Sequence, residues 1–396
     1  MSLLKISEKF ILNRLKKLEN GNLKLINYDG KVFHFGNLES ELSADIKINN
    51  PNFFTNIILG GSSAFGEAHI KKDFYTSNLT NLIEITAKNV KLVYSFSGSL
   101  KLQKLKNFLK TIFASNTKSK SLKNISKHYD LGNDFFSKWL DKSLTYSSAI
   151  YMDQNESLEK AQRNKYQKLI DLLKIKEGNK VLEIGCGWGG FSEYLAKNYN
   201  VSIDCITISK KQFEFSKNRI AASGLDNKVN VKFLDYRDVK DKYDNIASIE
   251  MIEAVGENYL DKYFGTIKNS LKSNGTAAIQ GITISDNLFE RYRRSEDFIQ
   301  KYIFPGGFLP SEKFMKQLIK KHNLSLDKIN TYSDDYAKTL NIWKSNFLNA
   351  WKNISPLGFD EAFKRMWEFY LSYCEAGFKS KNINLIQFSM SNNQSV

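Results

Sequence analysis

The sequence is short of cysteine, proline and histidine. Three cysteines, Cys186, Cys205 and Cys374, in 396 residues exclude a disulfide scaffold and a CxxC metal cluster, and they fit a reducing compartment. The four histidines, at 34, 69, 128 and 322, are scattered, and no two of them stand at i, i+4, so no metal site is expected. Four prolines (51, 305, 310 and 356) leave no [N/D/S]-P-P-[Y/F] loop and no Pro-Cys pair, the usual marks of a nucleic-acid methyltransferase. No run of about 18 uncharged apolar residues occurs, so no transmembrane helix is expected. The opening MSLLKISEKFILNRLKKLENG is soon broken by Lys and Arg and has no small-residue cleavage site, unlike a signal peptide. Acidic residues are wholly missing from Ile85 to Tyr129, a window that holds ten lysines.

The composition is otherwise that of a globular protein, 42% hydrophobic and 25% charged. The formal net charge is +16, which favours a polyanionic partner, either nucleic acid or an anionic membrane surface. Within the acid-free window, LKLQKLKNFLKTIFA places Leu102, Leu105, Leu109, Ile112 and Phe113 at helical spacing. Lys101, Lys104 and Lys110 largely take the other side. That is the form of a helix lying on an anionic bilayer. The plainer alternative is a helix packed on the next domain and followed by a solvated linker.

The pattern divides the chain into residues 1–95, 96–127 and 128–396. The first part reads as a small α+β accessory domain. LKLINYDGKVFHFG has the form of a hairpin turning at Asp29-Gly30, and ADIKINN alternates as a half-buried strand. From Lys180 on, strand-like runs (VLEIG, VSIDCITIS, VNVKFLD, NIASIEM, TAAIQGITI) alternate with helical ones (FSEYLAKNY, KQFEFSKNRIAASG, ENYLDKYFGTIKNSLKSNG). That alternation predicts an α/β fold, a doubly wound, mostly parallel sheet with helices on both faces.

The clearest chemical signal is VLEIGCGWGGFSEYLA, a buried strand entering a glycine-rich turn before a helix. Glycines there let the backbone turn sharply and approach a ligand at the carboxyl end of the first strand. A dinucleotide site uses similar glycines. Glu183, two residues before Gly185, points instead to the E/DxGxGxG loop of S-adenosylmethionine (SAM) methyltransferases. The next strand ends in ITISKKQ and lacks the ribose-binding acid of a nicotinamide site. Hydroxyl and amide groups of Thr207, Ser209 and Gln212 could hold polar parts of the ligand.

Longer strings carry a resemblance. HYDLGNDFFSKWLDKSLTYSSAIY (128–151), ITISKKQ, IEMIEAVGENYLDKYF, DFIQKYIFPGGFLPS and RMWEFYLSYCEAGFKSKNINLIQF follow in order. Together they resemble the cyclopropane-fatty-acid and mycolic-acid cyclopropane synthases, from His128 to about Phe388. FGEAHIKKDFYTSNLTNLI is similar, less specifically, to that family's lipid-binding accessory domain.

The resemblance implies methyl transfer from SAM to the cis double bond of an unsaturated acyl chain in membrane phospholipid, most simply forming a cyclopropane ring. It implies SAM contacts from Tyr146, Ser147, Glu183, Gly185, Gly187, Thr207, Ser209 and Gln212, with Tyr236 and Arg237 near the adenine and His128 over the ligand. It also implies a bound bicarbonate as base, held by Ser148, Glu253, Gln280, the backbone of Ile282, and Tyr336. Aromatic faces would stabilise the carbocation, with Tyr302, Phe304, Tyr336, Trp367, Phe369 and Tyr370 as candidates beside their ordinary role in packing.

Three positions depart from the family: Ser148 where Cys is common, Gln280 where His is common, and Ala254 where His follows the glutamate. Ser and Gln donate hydrogen bonds, but they neither ionise like Cys nor titrate near neutrality like His. These departures bear on the deprotonation step. A mid-chain methyl- or methylene-branching enzyme stays open as an alternative, as does a lipid-binding protein whose SAM domain has lost turnover. The expected setting is cytoplasmic, peripherally attached to the inner face of the cell membrane, with no nucleic-acid partner. The oligomeric state is left open, a homodimer included.

Overall fold

The computed structural model describes residues 2–94 and 131–392. The basic 96–127 segment and His128 therefore lie outside the described residues. The described chain forms two compact units. The first gathers the N-terminal residues through Tyr94 with 290–303 and 340–382. The second gathers 131–289, 304–339 and 383–392.

This division interleaves where the sequence pattern suggested consecutive blocks. In the first unit, strands β1 (Asn22–Ile26), β2 (Val32–Gly36), β3 (Ser43–Ile48) and β4 (Phe74–Tyr75) form a sheet of order β2-β1-β3-β4. β1 and β2 pair antiparallel from Asn22↔Gly36 to Ile26↔Val32, and Gly30 turns between them at φ 84, as the Asp-Gly signal predicts. The helix Glu361–Lys379 joins this unit because its apolar side is made for it. Phe369 packs on Phe65 and Phe298, with ring centroids 5.9 and 4.6 Å apart. Gly66 leaves these rings their space, since a Cβ there would meet Phe298 at 2.3 Å. On the same helix Glu375, 1% exposed, is neutralised by Lys344 at 2.7 Å and bonded by Thr80 at 3.0 Å.

The second unit holds the doubly wound sheet. Its strands are β5 (Lys180–Ile184), β6 (Ser202–Thr207), β7 (Val229–Phe233), β8 (Tyr243–Ile249), β9 (Leu271–Ile284), β10 (Ser325–Thr331) and β11 (Ile383–Ser391). The order is β10-β11-β9-β8-β5-β6-β7. β5 to β9 run parallel, while β11 is antiparallel to both its neighbours. All five strand-like runs from VLEIG onward form strands. The order reverses at β5, flanked by β6 and β8, and ligands of open α/β sheets bind at such a switch point.

One boundary differs from the pattern. The helix Glu257–Ser270 stops before LKSNG, because Leu271 is taken into β9, paired with Tyr243 and 1% exposed. Apolar residues of β5, β6, β8 and β9 (Val181, Ile203, Ala247, Ala278) share a core with the helices Leu158–Leu173 and Gly190–Asn198. Among the described residues no helix is long and apolar enough to cross a membrane, and no group of side chains has the makeup of a metal site.

Candidate active site

The glycine turn lies at the carboxyl end of β5. Gly185, Gly187 and Gly189 all have positive φ (83, 53 and 81). A Cβ on Gly185 would meet Met251 at 2.9 Å, whereas one on Gly187 would meet no protein atom within 4 Å. Gly187 is thus the open point of the turn. Backbone N–H groups of Gly185 and Cys186 both donate to Ile206 O at 3.0 Å, which ties the turn to the end of β6. There Thr207, Ser209 and Gln212 form one knot. Thr207 Oγ1 donates to Gln212 Oε1 at 3.0 Å and accepts Ser209 N–H at 3.1 Å, while Ser209 Oγ caps the helix Lys210–Ala222 through Gln212 N–H. Leu234 N–H donates to Thr207 O, bringing the end of β7 alongside. Just beyond it Tyr236 is buried, and Arg237 is held by Asp235 through a fork at 2.8 and 2.6 Å.

A second segment, 141–151, is fastened beside this turn. Asp141 accepts the backbone N–H groups of Ser143 and Thr145. Arg219 donates to Ser143 O and Trp188 O, both at 2.8 Å, and so joins the segment to the glycine turn. The ring of Tyr146 packs against Phe136, Trp139 and Phe304 at 5.2, 5.6 and 6.5 Å. Ser147 Oγ accepts from the buried ammonium of Lys165 at 2.6 Å.

The chemistry concentrates just after β8, in two carboxylates three residues apart. Glu250 is held at φ 48, a left-handed conformation that costs a non-glycine residue about 1–2 kcal/mol. Such strain is found where function demands a side-chain direction. Its carboxylate is fully engaged. Oε1 accepts Ser148 N–H at 2.8 Å and Gln280 Nε2 at 2.7 Å, and Oε2 accepts the Tyr336 hydroxyl at 2.5 Å. Gln387 Nε2 donates to Gln280 Oε1 at 2.9 Å, which turns the amino group of Gln280 toward Glu250.

Glu253 accepts Ile282 N–H at 2.5 Å through Oε1, while its Oε2 is buried without a hydrogen-bond partner. Burial, with the Glu250 charge nearby, pushes its pKa up to about 8, so at neutral pH it carries a proton. Glu183 is buried in β5, bonded by Ser192, and pushed up to about 7 by desolvation.

Ser148, Gln280 and Tyr336, three of the residues the resemblance assigns to bicarbonate, converge on one point, and Ile282 and Glu253 meet each other. What the three meet is a protein carboxylate. At Ser148 the donor is the backbone N–H, since its hydroxyl donates to Ala149 O. Of the aromatic candidates, Phe304 and Tyr336 belong to this unit. Tyr302, Trp367, Phe369 and Tyr370 belong to the first unit, where Tyr302 donates to Glu67 and Trp367 packs on Phe363 and Tyr370.

The sequence reading missed Glu250, Lys165 and Gln387. The string IEMIEAVG does contain Glu250, and an acid at the end of a parallel strand was a usable signal. No local pattern marks Lys165 or Gln387.

The raised carboxylates set a pH dependence of stability. A carboxyl whose folded value exceeds its ordinary one keeps its stabilisation below about pH 4.5 and loses it as pH rises through the folded value. Unfolding free energy should therefore fall from pH 5 to pH 7 as Glu183 and Glu253 approach ionisation. The limiting slope is about 1.4 kcal/mol per pH unit for each group. Urea unfolding across that range measures it, and Glu253→Gln should flatten the curve.

A sheet of this order with this glycine turn defines a SAM-dependent methyltransferase. The residues fit that cosubstrate: the turn is open at Gly187, and the ends of β6 and β7 bring hydroxyl, amide and aromatic groups beside it. Known proteins narrow the class. The chain belongs to the mycolic acid cyclopropane synthetase family, which it matches over residues 116–388. It is 35% identical over 350 residues to the cyclopropane-fatty-acyl-phospholipid synthase of Escherichia coli (strain K12), covering 87% of each chain. It is 34% identical over 338 residues to the tuberculostearic acid methyltransferase UfaA1 of Mycobacterium tuberculosis, covering 83% of this chain and 79% of that one. Among solved structures it resembles the cyclopropane synthase MmaA2 from Mycobacterium tuberculosis, with a TM-score of 0.64 and 25% identity over 68% of this chain and 98% of that one. It also resembles the mycolic acid cyclopropane synthase CmaA1 complexed with SAH and CTAB, with a TM-score of 0.65 and 27% identity over the same shares.

Proposed function

We propose that this enzyme adds a methyl carbon to the cis double bond of an unsaturated acyl chain in membrane phospholipid and closes it to a cyclopropane ring, with Glu250 as the base. The observation that supports this most is the seat of Glu250. Its carboxylate takes the hydrogen bonds of Ser148, Gln280 and Tyr336, donors that the family resemblance assigns to bicarbonate.

SAM, when bound at the glycine turn, supplies an electrophilic methyl carbon. Gly185 and Gly187 give it backbone room, and Tyr146 and Ser147 flank it from the fastened 141–151 segment. The alkene electron pair forms a bond to that carbon as the sulfur–carbon pair leaves with sulfur, and a carbocation remains on the acyl chain. Tyr146, Phe304 and Tyr336 offer aromatic faces that stabilise a cation without trapping it. Glu250 then takes one proton from the transferred carbon, and the freed C–H pair closes the ring. Protonated Glu253 beside it leaves one negative charge on the pair, which suits two carboxyls with different duties.

The N-terminal α+β residues would serve as a lipid-binding accessory domain. The basic 96–127 segment would meet anionic phospholipid at the inner face of the cell membrane. The relative named for tuberculostearic acid supports a second reading, in which the same cation yields a mid-chain methyl or methylene branch.

The test is mass spectrometry of vesicles of an anionic, cis-monounsaturated phospholipid incubated with the enzyme and SAM bearing a CD3 methyl. A product with two deuteriums and ring-type fragments is expected. Retention of three deuteriums with branched-chain fragments would establish the second reading. No labelled lipid, with SAM bound, would leave a lipid-binding protein.

A further inference from the structure

Lys165 is the one lysine or arginine buried among the described residues, at 0% exposure. The helix Leu158–Leu173 carries it beneath the site. Its ammonium donates to Ser147 Oγ at 2.6 Å and lies 4.7 Å from the centroid of the Tyr166 ring. No carboxylate lies within ion-pair distance of it among the described residues. A buried ammonium with one hydroxyl partner is costly unless nearby negative charge compensates it.

Both arms of the Glu250 seat lead back to this lysine. Ser147, which the ammonium holds, precedes Ser148, whose N–H meets Glu250. On the other side Gln387 Nε2 bonds Lys165 O at 3.2 Å and Gln280 Oε1 at 2.9 Å, and Gln280 donates to Glu250. Gln162, one turn earlier on the same helix, donates to Ser147 O at 3.0 Å.

We propose that Lys165 is a positioning residue that decides which carboxyl of the Glu250–Glu253 pair carries the negative charge: its ammonium, seated on Ser147, keeps Glu250 ionised as the base. The inference rests on the Glu250 reading above. The groups that face Lys165 are Glu250 after β8, Glu183 on β5, Asp141 in the fastened segment and Tyr166 on its own helix. Burial pushes the Lys165 ammonium down to about 7, and of the charges that oppose this and hold its proton Glu250 acts most strongly, followed by Asp141 and Glu183. In return the ammonium favours ionisation of Glu250, whereas the nearby charge acting on Glu253 is that of Glu250, which opposes ionisation. Desolvation raises Glu250, and the Tyr336 hydroxyl and then the Lys165 charge offset it most, so loss of the lysine should raise Glu250 further and shrink the fraction able to accept the ring proton at low pH.

The test compares wild type, K165M, K165R and E250Q as full chains, with SAM and the same vesicles, from pH 5.5 to 9. In K165M the acidic limb of kcat should move upward by about one to two pH units, with SAM KM changed less than about fivefold. K165R keeps the charge, and its limb should stay within about half a unit of wild type. A K165M whose activity falls equally at every pH, or whose loss lies in KM alone, overturns the inference and leaves Lys165 a packing or SAM-holding role. An upward-shifted limb in K165R also overturns it, and this arm decides should K165M fail to fold. If E250Q turns over like wild type, the Glu250 reading fails. If E250Q is inactive while K165M keeps the wild-type limb, the Lys165 inference alone fails.

Discussion

Replacing Glu250 with glutamine should lower ring-forming turnover about 1,000-fold, the scale of a lost general base. The substitution keeps the shape of the side chain and one oxygen to accept Ser148 N–H and the Gln280 amide. The Tyr336 hydroxyl can rotate to accept from the new amino group, so the site should still assemble. SAM affinity, measured by calorimetry, should change little, because most of the groups proposed to hold the cosubstrate lie at the ends of β5 and β6 and none bonds Glu250. Glu253→Gln is the matched comparison. Glu253 holds a proton at pH 7, so the amide resembles the state already present and can still accept Ile282 N–H. Its turnover should fall less than about tenfold. An active E250Q beside an inactive E253Q would reverse the two roles, and stopped-turnover assays with labelled SAM distinguish the cases.

The second large effect is expected at the glycine turn. Gly185→Val introduces a β-branched residue at φ 83 and a Cβ that meets Met251 at 2.9 Å. A β-branched side chain is a true outlier at positive φ. The turn must deform, and SAM binding should weaken at least about 100-fold, or roughly 2.7 kcal/mol. Gly187→Ala separates backbone strain from ligand approach. It too has positive φ, 53, but its Cβ would meet no protein atom within 4 Å. The fold should lose only about 1–2 kcal/mol. A SAM affinity that falls by much more than this strain explains would show that the ligand passes against Gly187. Unaltered affinity in G187A would place the ligand elsewhere along the turn.

The sheet and its cosubstrate turn were legible because their signals are local. A buried parallel strand is a continuous apolar run, and a turn of positive φ needs glycine. VLEIGCGWGG contains both, so β5 and the turn follow from ten consecutive residues, and the SAM class from Glu183 among them together with the acid-free strand end ITISKKQ. The Asp29-Gly30 hairpin was legible for the same reason. The boundary at Leu271 was not, because pairing with Tyr243 on β8 overrides the helical pattern of its own segment.

The choice between the two carboxylates lies at the far end of that scale. EMIE presents two glutamates of equal chemistry, and the family resemblance assigns a site role to Glu253 alone. The hydrogen bonds that distinguish them come from residues 102, 30 and 86 positions away in the chain. The sequence by itself determined the succession of strands and helices along the second unit's sheet, the glycine turn and the family. Only the tertiary structure decided that Glu250 sits on the donors, that Glu253 is left with an unpaired buried oxygen, and that Lys165 is buried. The physical reason is that charge state depends on desolvation and on neighbours brought together by packing, and neither is a property of a residue and its sequence neighbours.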